Sequence, residues 1–355
     1  MIIMYFEQFC KERNIKLETI KSYRTAINHY TRFHSMSLDD LIDEAIMEEN
    51  DSKITKRQRN IKKRLYQFRI FLLEETNLKT STISSNMGKL KALYAHFDIE
   101  LPKLPPLKSN GGSEITYDDL PTKKQIAMAV WISGIRVASL ILFMASSGAG
   151  RMECVNITIG DFIDACSQYH TKDTLPEILE ELYKSGETIV PTFYIRREKT
   201  KKKYFTFSTP EAARAIVKWL MIRLEICREN GEELNMNDLL WGFTARQITY
   251  RFTIINDELG FGFKGPYRSL RPHMLRKFHA SNIGLSEDDI NLLQGRSREA
   301  IQDSYIKINP KTLKKRYVKV MENVTISEID KQTRHDEFTI NINLNFYGND
   351  YGVTL

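Results

Sequence analysis

The first hundred residues repeat the apolar spacing of amphipathic helices. Apolar positions recur at intervals of three and four residues, first at Ile20, Tyr23, Ile27 and Tyr30. This spacing places them on one face of a helix. The same pattern predicts a second helix from Lys53 to Glu75 and a third from Thr80 to Phe97. We therefore expect a helical domain over residues 1–100.

The second predicted helix has charged residues opposite its apolar stripe. The stripe is formed by Ile61, Leu65, Phe68 and Leu72. At about 100° per residue, Lys56, Arg59 and Lys63 fall on the other face. These three residues are candidates for contact with the phosphates of a nucleic acid, and a solvated charged face is the alternative.

A stretch rich in proline and glycine interrupts the helical pattern at residues 101–113, where three prolines and two glycines occur. This composition is typical of an extended linker, so we place a linker at residues 101–115 and a second domain at residues 116–330. The second domain is expected to begin with a helix capped by Thr116. A mostly buried helix is predicted from Ile135 to Ala145.

The helical pattern of the second domain is broken once by strand-like segments. Phe193–Ile195 and Tyr204–Phe207 are rich in aromatic and β-branched residues, with Ile189 and Val190 shortly before them. Between the two segments lies a charged turn that contains Lys199, Lys201, Lys202 and Lys203. This arrangement predicts a β-hairpin with a lysine-rich tip. The fold class is therefore mainly α with a small β-hairpin, in two domains.

After the second domain, residues 331–355 form a C-terminal tail. Apolar and polar residues alternate over residues 338–347, with the period of a half-buried strand. Because the sequence nearby offers no partner strand, we expect the tail to pack on a neighbouring subunit.

Composition narrows the possible environments and partners. Lys and Arg total 52 against 45 for Asp and Glu, a net charge of +7 that fits binding to a polyanion. The four cysteines lie far apart, which argues against a disulfide framework or a cysteine zinc site and favours a reducing cytosol. The longest apolar run, Val137 to Ala145, is far shorter than the roughly 20 residues of a membrane span. We expect no membrane association.

Four features of the second domain could carry chemistry. Arg151 follows the glycine-rich end of a buried helix, and Glu153 lies two residues further, where its carboxylate could orient the arginine. The lysine-rich hairpin tip suits phosphate contact or proton donation. His273 and Arg276 share a helical face. A zinc site from His273 and His279 is rejected, because six residues place the two on different faces.

The fourth feature is the segment from Gly295 to Tyr305. The glycine ends a predicted helix, Arg296 follows it, and the tyrosine lies nine residues beyond the arginine. Each of the four features alone also fits an ordinary surface or core position. Their order along the chain is what makes them informative.

In that order the features resemble the catalytic set of the tyrosine recombinases, the phage and archaeal integrase family. Residues 147–153 resemble the first arginine box, although the family's glutamate usually follows by three residues rather than two. Residues 273–276 resemble the H-x-L-R box. The segment from Gly295 to Tyr305 matches the last box in length, with Arg296 where the family has His or Trp. The resemblance covers about 320 residues and extends to the helical core-binding domain and the linker.

The resemblance implies a site-specific DNA recombinase that cleaves and rejoins DNA through a 3′-phosphotyrosyl link. Tyr305 would be the nucleophile, Lys199 the acid for the leaving oxygen, and His273 an acid, base or phosphate donor. Arg151 and Arg276 would stabilise the transition state. Arg296 can only donate hydrogen bonds at neutral pH.

The resemblance further implies an enzyme without cofactor or metal, because the covalent link conserves the phosphodiester energy. It would act as a homotetramer on double-stranded DNA, near the nucleoid of a prokaryotic cytoplasm. Lys56, Arg59, Lys63, Lys201 and Lys202 would contribute to the DNA clamp.

Several alternatives stay open. Lys201, Lys202 or Lys203 could replace Lys199 as the acid. Tyr317 is a rival nucleophile, although it falls on the apolar stripe of the last helix. The whole chain could also be a type IB topoisomerase, or a DNA-binding relative without catalytic activity.

Overall fold

In the computed structural model, which describes residues 4–107, 115–185, 188–198, 201–296 and 309–326, the chain divides into two compact units. The first is Met1–Glu114 and the second is Ile115–Leu355. Helices dominate both units, and the described strands form two small antiparallel ribbons in the second unit. The predicted fold class, mainly α with a small β-hairpin, is confirmed.

Within residues 4–107 of the first unit, five helices surround one apolar core. The apolar stripe predicted for the second helix, from Ile61 to Leu72, is buried in this core, together with Tyr30 and Tyr94. Burial raises the pKa of Tyr94 to about 12, and its hydroxyl lies 3.2 Å from that of Tyr30. The helices are α1 Met4–Glu12, α2 Leu17–His34, α3 Leu38–Asn50, α4 Asn60–Glu74 and α5 Thr80–His96.

Helix α4 begins seven residues later than the sequence predicts. Side chains of the preceding turns bond to the backbone, Asp51 to the Lys53 N–H at 2.8 Å and Gln58 to the Thr55 N–H at 3.0 Å. Such local bonds compete with helix formation. Arg59 then has extended backbone angles and forms the N-terminal boundary of the helix.

The second unit is built around α7, Ile135–Ser147, which is buried from Val137 to its C-terminal end. It packs against α6, α11 and α13. The predicted helix at Thr116 is wrong, because Thr116 caps only a short 3₁₀ turn at Tyr117–Asp119. The helix itself begins at Lys123, where Thr122 and Gln125 form a capping box.

The other described helices of this unit contribute residues to the same apolar core. Asn309 caps the last described helix, where its side chain accepts a hydrogen bond from the Lys311 N–H at 2.9 Å. Beyond α7, the described helices are α6 Lys123–Ile132, α8 Arg151–Asn156, α9 Ile159–Ala165, α10 Leu175–Ser185, α11 Pro210–Glu229, α12 Ala245–Glu258, α13 Pro272–Asn282, α14 Glu287–Leu293 and the last helix Pro310–Val320, followed by a 3₁₀ turn at Met321–Val324.

The predicted hairpin is present as β1, Thr192–Arg196, paired antiparallel with β2, Lys203–Phe207. Thr192 lies opposite Phe207, and Arg196 lies opposite Lys203. Ile189 and Val190 are buried but precede the strand. A second ribbon, β3 Phe263–Lys264 with β4 Tyr267–Arg268, was not evident from the sequence.

The strand predicted at residues 338–347 and the rest of the C-terminal tail lie outside the described residues. Within the part of the chain that the structure describes, no helix is long and apolar enough to cross a membrane.

Candidate active site

The C-terminal end of α7 brings three elements of the second unit together. The last carbonyls of a helix have no partner within the helix. Here three consecutive carbonyls accept hydrogen bonds from other elements. The Ser146 carbonyl accepts from the Tyr317 hydroxyl at 2.9 Å, and the Ser147 carbonyl accepts from the Thr206 hydroxyl at 2.7 Å. The Gly148 carbonyl accepts from the guanidinium of Arg276. The last helix, the hairpin and α13 therefore meet at this point.

Arg276 is the centre of the site. It is buried, and its Nη1 donates to the Gly148 carbonyl at 2.8 Å, while Nη2 donates to the carbonyl of Gln294 at the end of α14. Burial lowers the pKa of Arg276, and the nearby Arg197 and Arg296 lower it further, whereas Tyr204 and Glu153 oppose this shift. Two carbonyls from separate parts of the chain thus hold the guanidinium of Arg276 by hydrogen bonds.

Gln294 holds the backbone of Arg276 as well as its side chain. The Gln294 Nε2 donates to the Arg276 carbonyl at 3.0 Å and lies 3.1 Å from Nδ1 of His279. Burial lowers the pKa of His279 to about 3, and the charges of Arg276 and Arg296 act in the same direction. His279 is therefore neutral at pH 7, and its Nδ1 can accept a hydrogen bond from the Gln294 side-chain amide.

Two glycines allow this close packing. Gly148 has φ +65°, and a Cβ there would lie 2.7 Å from both His279 Nδ1 and Gln294 Nε2. Gly295 has φ +57°, and a Cβ there would lie 2.6 Å from the ring of Tyr204 in β2. Both positions combine left-handed backbone with a close neighbour, so only glycine fits without displacement.

Further cations surround Arg276. Arg197, directly after β1, donates from Nη1 to the Gly295 carbonyl at 2.6 Å. Arg296 is half-buried on the same turn as Gly295. Burial lowers the pKa of Arg296, Arg197 lowers it further, and Glu287 opposes the shift.

His273 lies in the first turn of α13 and reaches solvent, one helical turn before Arg276. Partial burial lowers its pKa, as do the charges of Lys277, Arg271, Arg276 and Arg296. The lowered pKa favours the neutral imidazole, which can accept a proton. His279 is fully buried while His273 is exposed, so the two imidazoles have different surroundings.

The expectation that Glu153 orients Arg151 is wrong. Arg151 is exposed at the start of α8, and its guanidinium donates to the Thr249 hydroxyl of α12. Glu153 is buried and acts on Arg276. A Cβ on Gly150 would lie 2.3 Å from the Glu153 carboxylate and 3.8 Å from Arg276 Nη1. The residue of this segment that lies next to Arg276 is therefore Gly150, and Arg151 follows it in the chain.

The lysine-rich tip is described only in part. Lys199 and Tyr305 lie outside the described residues. Lys201, with φ +56°, pairs with Glu198 at 2.5 Å, and Lys203 is exposed within β2. Lys202 accepts at its carbonyl from the Arg197 N–H at 2.9 Å, which closes the turn.

Tyr317, the rival nucleophile, is a core residue. It is fully buried, donates to the Ser146 carbonyl, and packs on Phe207 with ring centroids 5.3 Å apart. Burial raises its pKa far above the ordinary value of a phenol. The expectation that Tyr317 belongs to the apolar stripe of the last helix is confirmed.

The candidate DNA contacts of the first unit differ from the prediction. Lys56 and Arg59 precede α4 instead of lying on its face. Lys56 pairs with Glu100 at 2.6 Å, and Arg59 pairs with Glu49 at 2.8 Å and with Glu100 at 3.5 Å. Lys63 is on the helix and exposed, as predicted.

Sequence reasoning missed Arg197, Gln294 and the role of Glu153. Arg197 lies in the charged turn of the hairpin and Gln294 lies just before Gly295, and neither position carries a sequence signal for its contact with Arg276 or its neighbours. The spacing of Glu153, two residues after Arg151, was the one signal that the first arginine box departs from its usual form.

The sequence itself matches no protein-family model and no curated protein. Its fold is similar to solved structures. The XerH site-specific recombinase bound to palindromic difH substrate, in a post-cleavage complex, has a TM-score of 0.52 at 15% identity, covering 88% of this chain and 82% of that one. The same recombinase in a pre-cleavage complex has a TM-score of 0.50 at 13% identity, covering 88% and 82%.

A lambda integrase tetramer bound to a Holliday junction is also similar, with a TM-score of 0.50 at 14% identity, covering 86% of this chain and 79% of that one. These likenesses confirm the expected fold, which is that of the tyrosine recombinases.

Proposed function

We propose that this chain, which has the tyrosine recombinase fold, is a site-specific DNA recombinase of the integrase type. The observation that carries the proposal is the fixed guanidinium of Arg276, held by the carbonyls of Gly148 and Gln294 within a cluster of further cations. Such a group is preorganised to stabilise the charge that develops on a phosphodiester under attack.

In the proposed reaction the Tyr305 oxygen attacks a DNA phosphorus. The phenol proton passes to neutral His273, the bond from phosphorus to the 5′ oxygen breaks, and that oxygen takes a proton from Lys199 or another lysine of the tip. The product is a 3′-phosphotyrosyl link and a free 5′-hydroxyl. Attack by the 5′-hydroxyl of a partner strand reverses the step and completes strand exchange.

Arg276 and Arg151 are proposed to donate to the non-bridging oxygens. For Arg151 this requires exchange of its bond with Thr249 for one with the phosphate. Arg296 contributes hydrogen bonds and positive charge. The enzyme is proposed to act as a homotetramer on two duplexes in a prokaryotic cytoplasm, with a core-binding domain at residues 1–100 and a catalytic domain at residues 116–330.

Covalent trapping tests the proposal. The protein is incubated in EDTA with sheared DNA of its own replicon, the reaction is stopped with SDS, and bound DNA is sequenced. We expect adducts clustered at one sequence for wild type and none for Tyr305→Phe. Absence of adducts for wild type, also on nicked substrates, would leave a DNA-binding protein without catalysis.

A second assay separates a recombinase from a type IB topoisomerase. Two duplexes that carry the trapped sequence and different end labels are mixed with the protein. Sequence-dependent exchange of labels is expected of a recombinase. Relaxation of supercoils without a sequence requirement, with adducts scattered along the DNA, would support the topoisomerase instead.

A further inference from the structure

The turn that follows α14 holds two guanidinium groups on consecutive carbonyls. Arg276 donates to the Gln294 carbonyl, and Arg197 donates to the Gly295 carbonyl at 2.6 Å. The next residue on this turn is Arg296. Three guanidinium groups from three separate parts of the second unit therefore converge on residues 294–296.

Convergence of like charges costs free energy unless an anion shares the site. Within the described residues, Glu153 compensates Arg276, and Glu287 acts on Arg296. The described side-chain bond of Arg197 goes to an uncharged carbonyl and uses one nitrogen of a group with five N–H donors. The cluster thus has an excess of positive charge and of donors, as a phosphate site requires.

The backbone of Arg197 is fixed by the hairpin. Its N–H donates to the Lys202 carbonyl at 2.9 Å, and its carbonyl accepts from the Lys201 N–H at 2.7 Å. The neighbouring Arg196 is exposed, and its Nε donates to the Lys201 carbonyl at 2.8 Å. Adjacent arginines of one hairpin therefore have different surroundings, and Arg197 is the one tied to the turn beside Arg276.

Residues 147–153, which resemble the first arginine box, place no guanidinium beside Arg276. The residue that faces Arg276 there is Gly150, while Arg151 is bonded to Thr249. A second guanidinium next to Arg276 is instead supplied by the hairpin.

We infer that Arg197 is a phosphate-binding residue of the active site and contacts the same DNA phosphate as Arg276; this inference rests on the proposed function. Arg197 supplies donors to the non-bridging oxygens. The lysines of the same hairpin tip lie close by in the chain and serve the leaving oxygen. The hairpin thus delivers two kinds of cation to one phosphate.

The test compares Arg197→Gln with Arg196→Gln, which removes the same charge from the neighbouring position. Both are assayed by single-turnover cleavage at saturating concentration of the duplex identified by trapping. We expect Arg197→Gln to lose about 100-fold in rate, as for removal of one transition-state donor, and Arg196→Gln to stay within about threefold of wild type. Equal losses in the two variants would overturn the inference.

A neutral phosphate separates direct contact from misfolding. The same proteins cleave a duplex in which the scissile phosphate is a methylphosphonate, which lacks one charged oxygen. We expect the deficit of Arg197→Gln relative to wild type to shrink to less than about tenfold on this substrate, because the lost contact is partly gone already. A deficit of the same size on both substrates would mean that Arg197 does not contact the phosphate.

Inorganic phosphate keeps the inference testable if the proposed function fails. The rise of Tm with added phosphate is measured for wild type and both variants. Loss of the rise in Arg197→Gln and its retention in Arg196→Gln support the phosphate site even if wild type forms no DNA adduct. If wild type forms adducts but Arg197→Gln cleaves normally, the recombinase proposal stands and the role of Arg197 is refuted.

Discussion

Two arginines of the first unit and two at the candidate site of the second unit differ in the groups that hold them. In the first unit, Arg59 and Arg64 pair with carboxylates: Arg59 with Glu49, and Arg64 through two nitrogens with Glu44. In the second unit, Arg276 and Arg197 are held mainly by backbone carbonyls. A carboxylate neutralises the guanidinium that it orients, whereas a carbonyl orients it and leaves its charge for a ligand.

This difference matters because both sets look alike in the sequence. Each lies in a charged stretch next to apolar positions, and each could be read as a basic surface for DNA. Only the identity of the partner separates an arginine that stabilises the fold from one that is available for catalysis.

The largest expected effect comes from replacing Arg276. In Arg276→Lys, a single ammonium cannot donate to Gly148, Gln294 and a phosphate in one plane. We expect single-turnover cleavage to fall about 1000-fold while DNA affinity stays within about threefold. The matched change in the first unit is Arg64→Lys. Its cleavage rate should stay within about threefold of wild type, because the substitution weakens only the ion pair with Glu44. Similar losses of cleavage in both variants would remove the distinction between the two sets.

The next effect comes from the turn that holds the cluster. In Gly295→Ala, the new Cβ would collide with the ring of Tyr204. Relief of this collision would shift the backbone of residue 295, whose carbonyl binds Arg197. We expect a loss of about 100-fold in cleavage, together with a lower free energy of unfolding in urea. The control is Gly262→Ala, where φ is +66° but no atom lies within 4 Å of the added Cβ. It should cost only about 1 kcal/mol of stability and leave cleavage unchanged.

The acid sensitivity of the second unit should depend on His279. Its pKa is about 3 in the folded chain, below the ordinary 6.5, so the unfolded chain binds the proton more readily. The stability contributed by neutral His279 is complete above pH 6.5 and is lost as pH falls towards 3. Between pH 7 and pH 5 the free energy of unfolding should therefore drop by about 2 kcal/mol from this group. Urea unfolding of His279→Gln should lack this component; an unchanged pH dependence would contradict a buried neutral imidazole.

The smallest effects concern DNA binding by the first unit. Because Lys56 is paired with Glu100, Lys56→Gln should leave the salt dependence of DNA affinity unchanged. Exposed Lys63 is the better candidate, and Lys63→Gln should reduce the slope of log affinity against log salt by about 0.9, the value for one phosphate contact. Fluorescence anisotropy with the trapped duplex measures both slopes. A reduction for Lys56→Gln alone would reverse this assignment.

The sequence predicts the hairpin and several of the helices, because their apolar spacing reflects local burial, whereas α1 and α3 were not predicted individually. The stripe of α4 and the buried α7 are both found in the structure. The start of α4 was missed because side chains of the preceding turns bond to the backbone there. The pairing of Lys56 and Arg59 with Glu100 joins residues more than 40 positions apart, which no local pattern records.

The same limit applies to the site. The H-x-x-R spacing places His273 and Arg276 on one helix, since both belong to one periodic element. Arg197 reaches the site through the carbonyl of Gly295, 98 residues later in the chain. Gln294 acts through the backbone of Arg276. Contacts to main-chain atoms leave no residue signature, so these two roles became evident only from the structure.

The central claim is that the chain breaks DNA by forming a covalent bond to Tyr305. The most direct measurement is mass spectrometry of the adduct trapped with SDS, after nuclease and protease digestion, to identify the residue that carries the nucleotide. The account predicts a nucleotide joined through its 3′ phosphate to the peptide containing Tyr305, in wild type and Tyr317→Phe but not in Tyr305→Phe. A nucleotide on any other residue, or an adduct that persists in Tyr305→Phe, would contradict it.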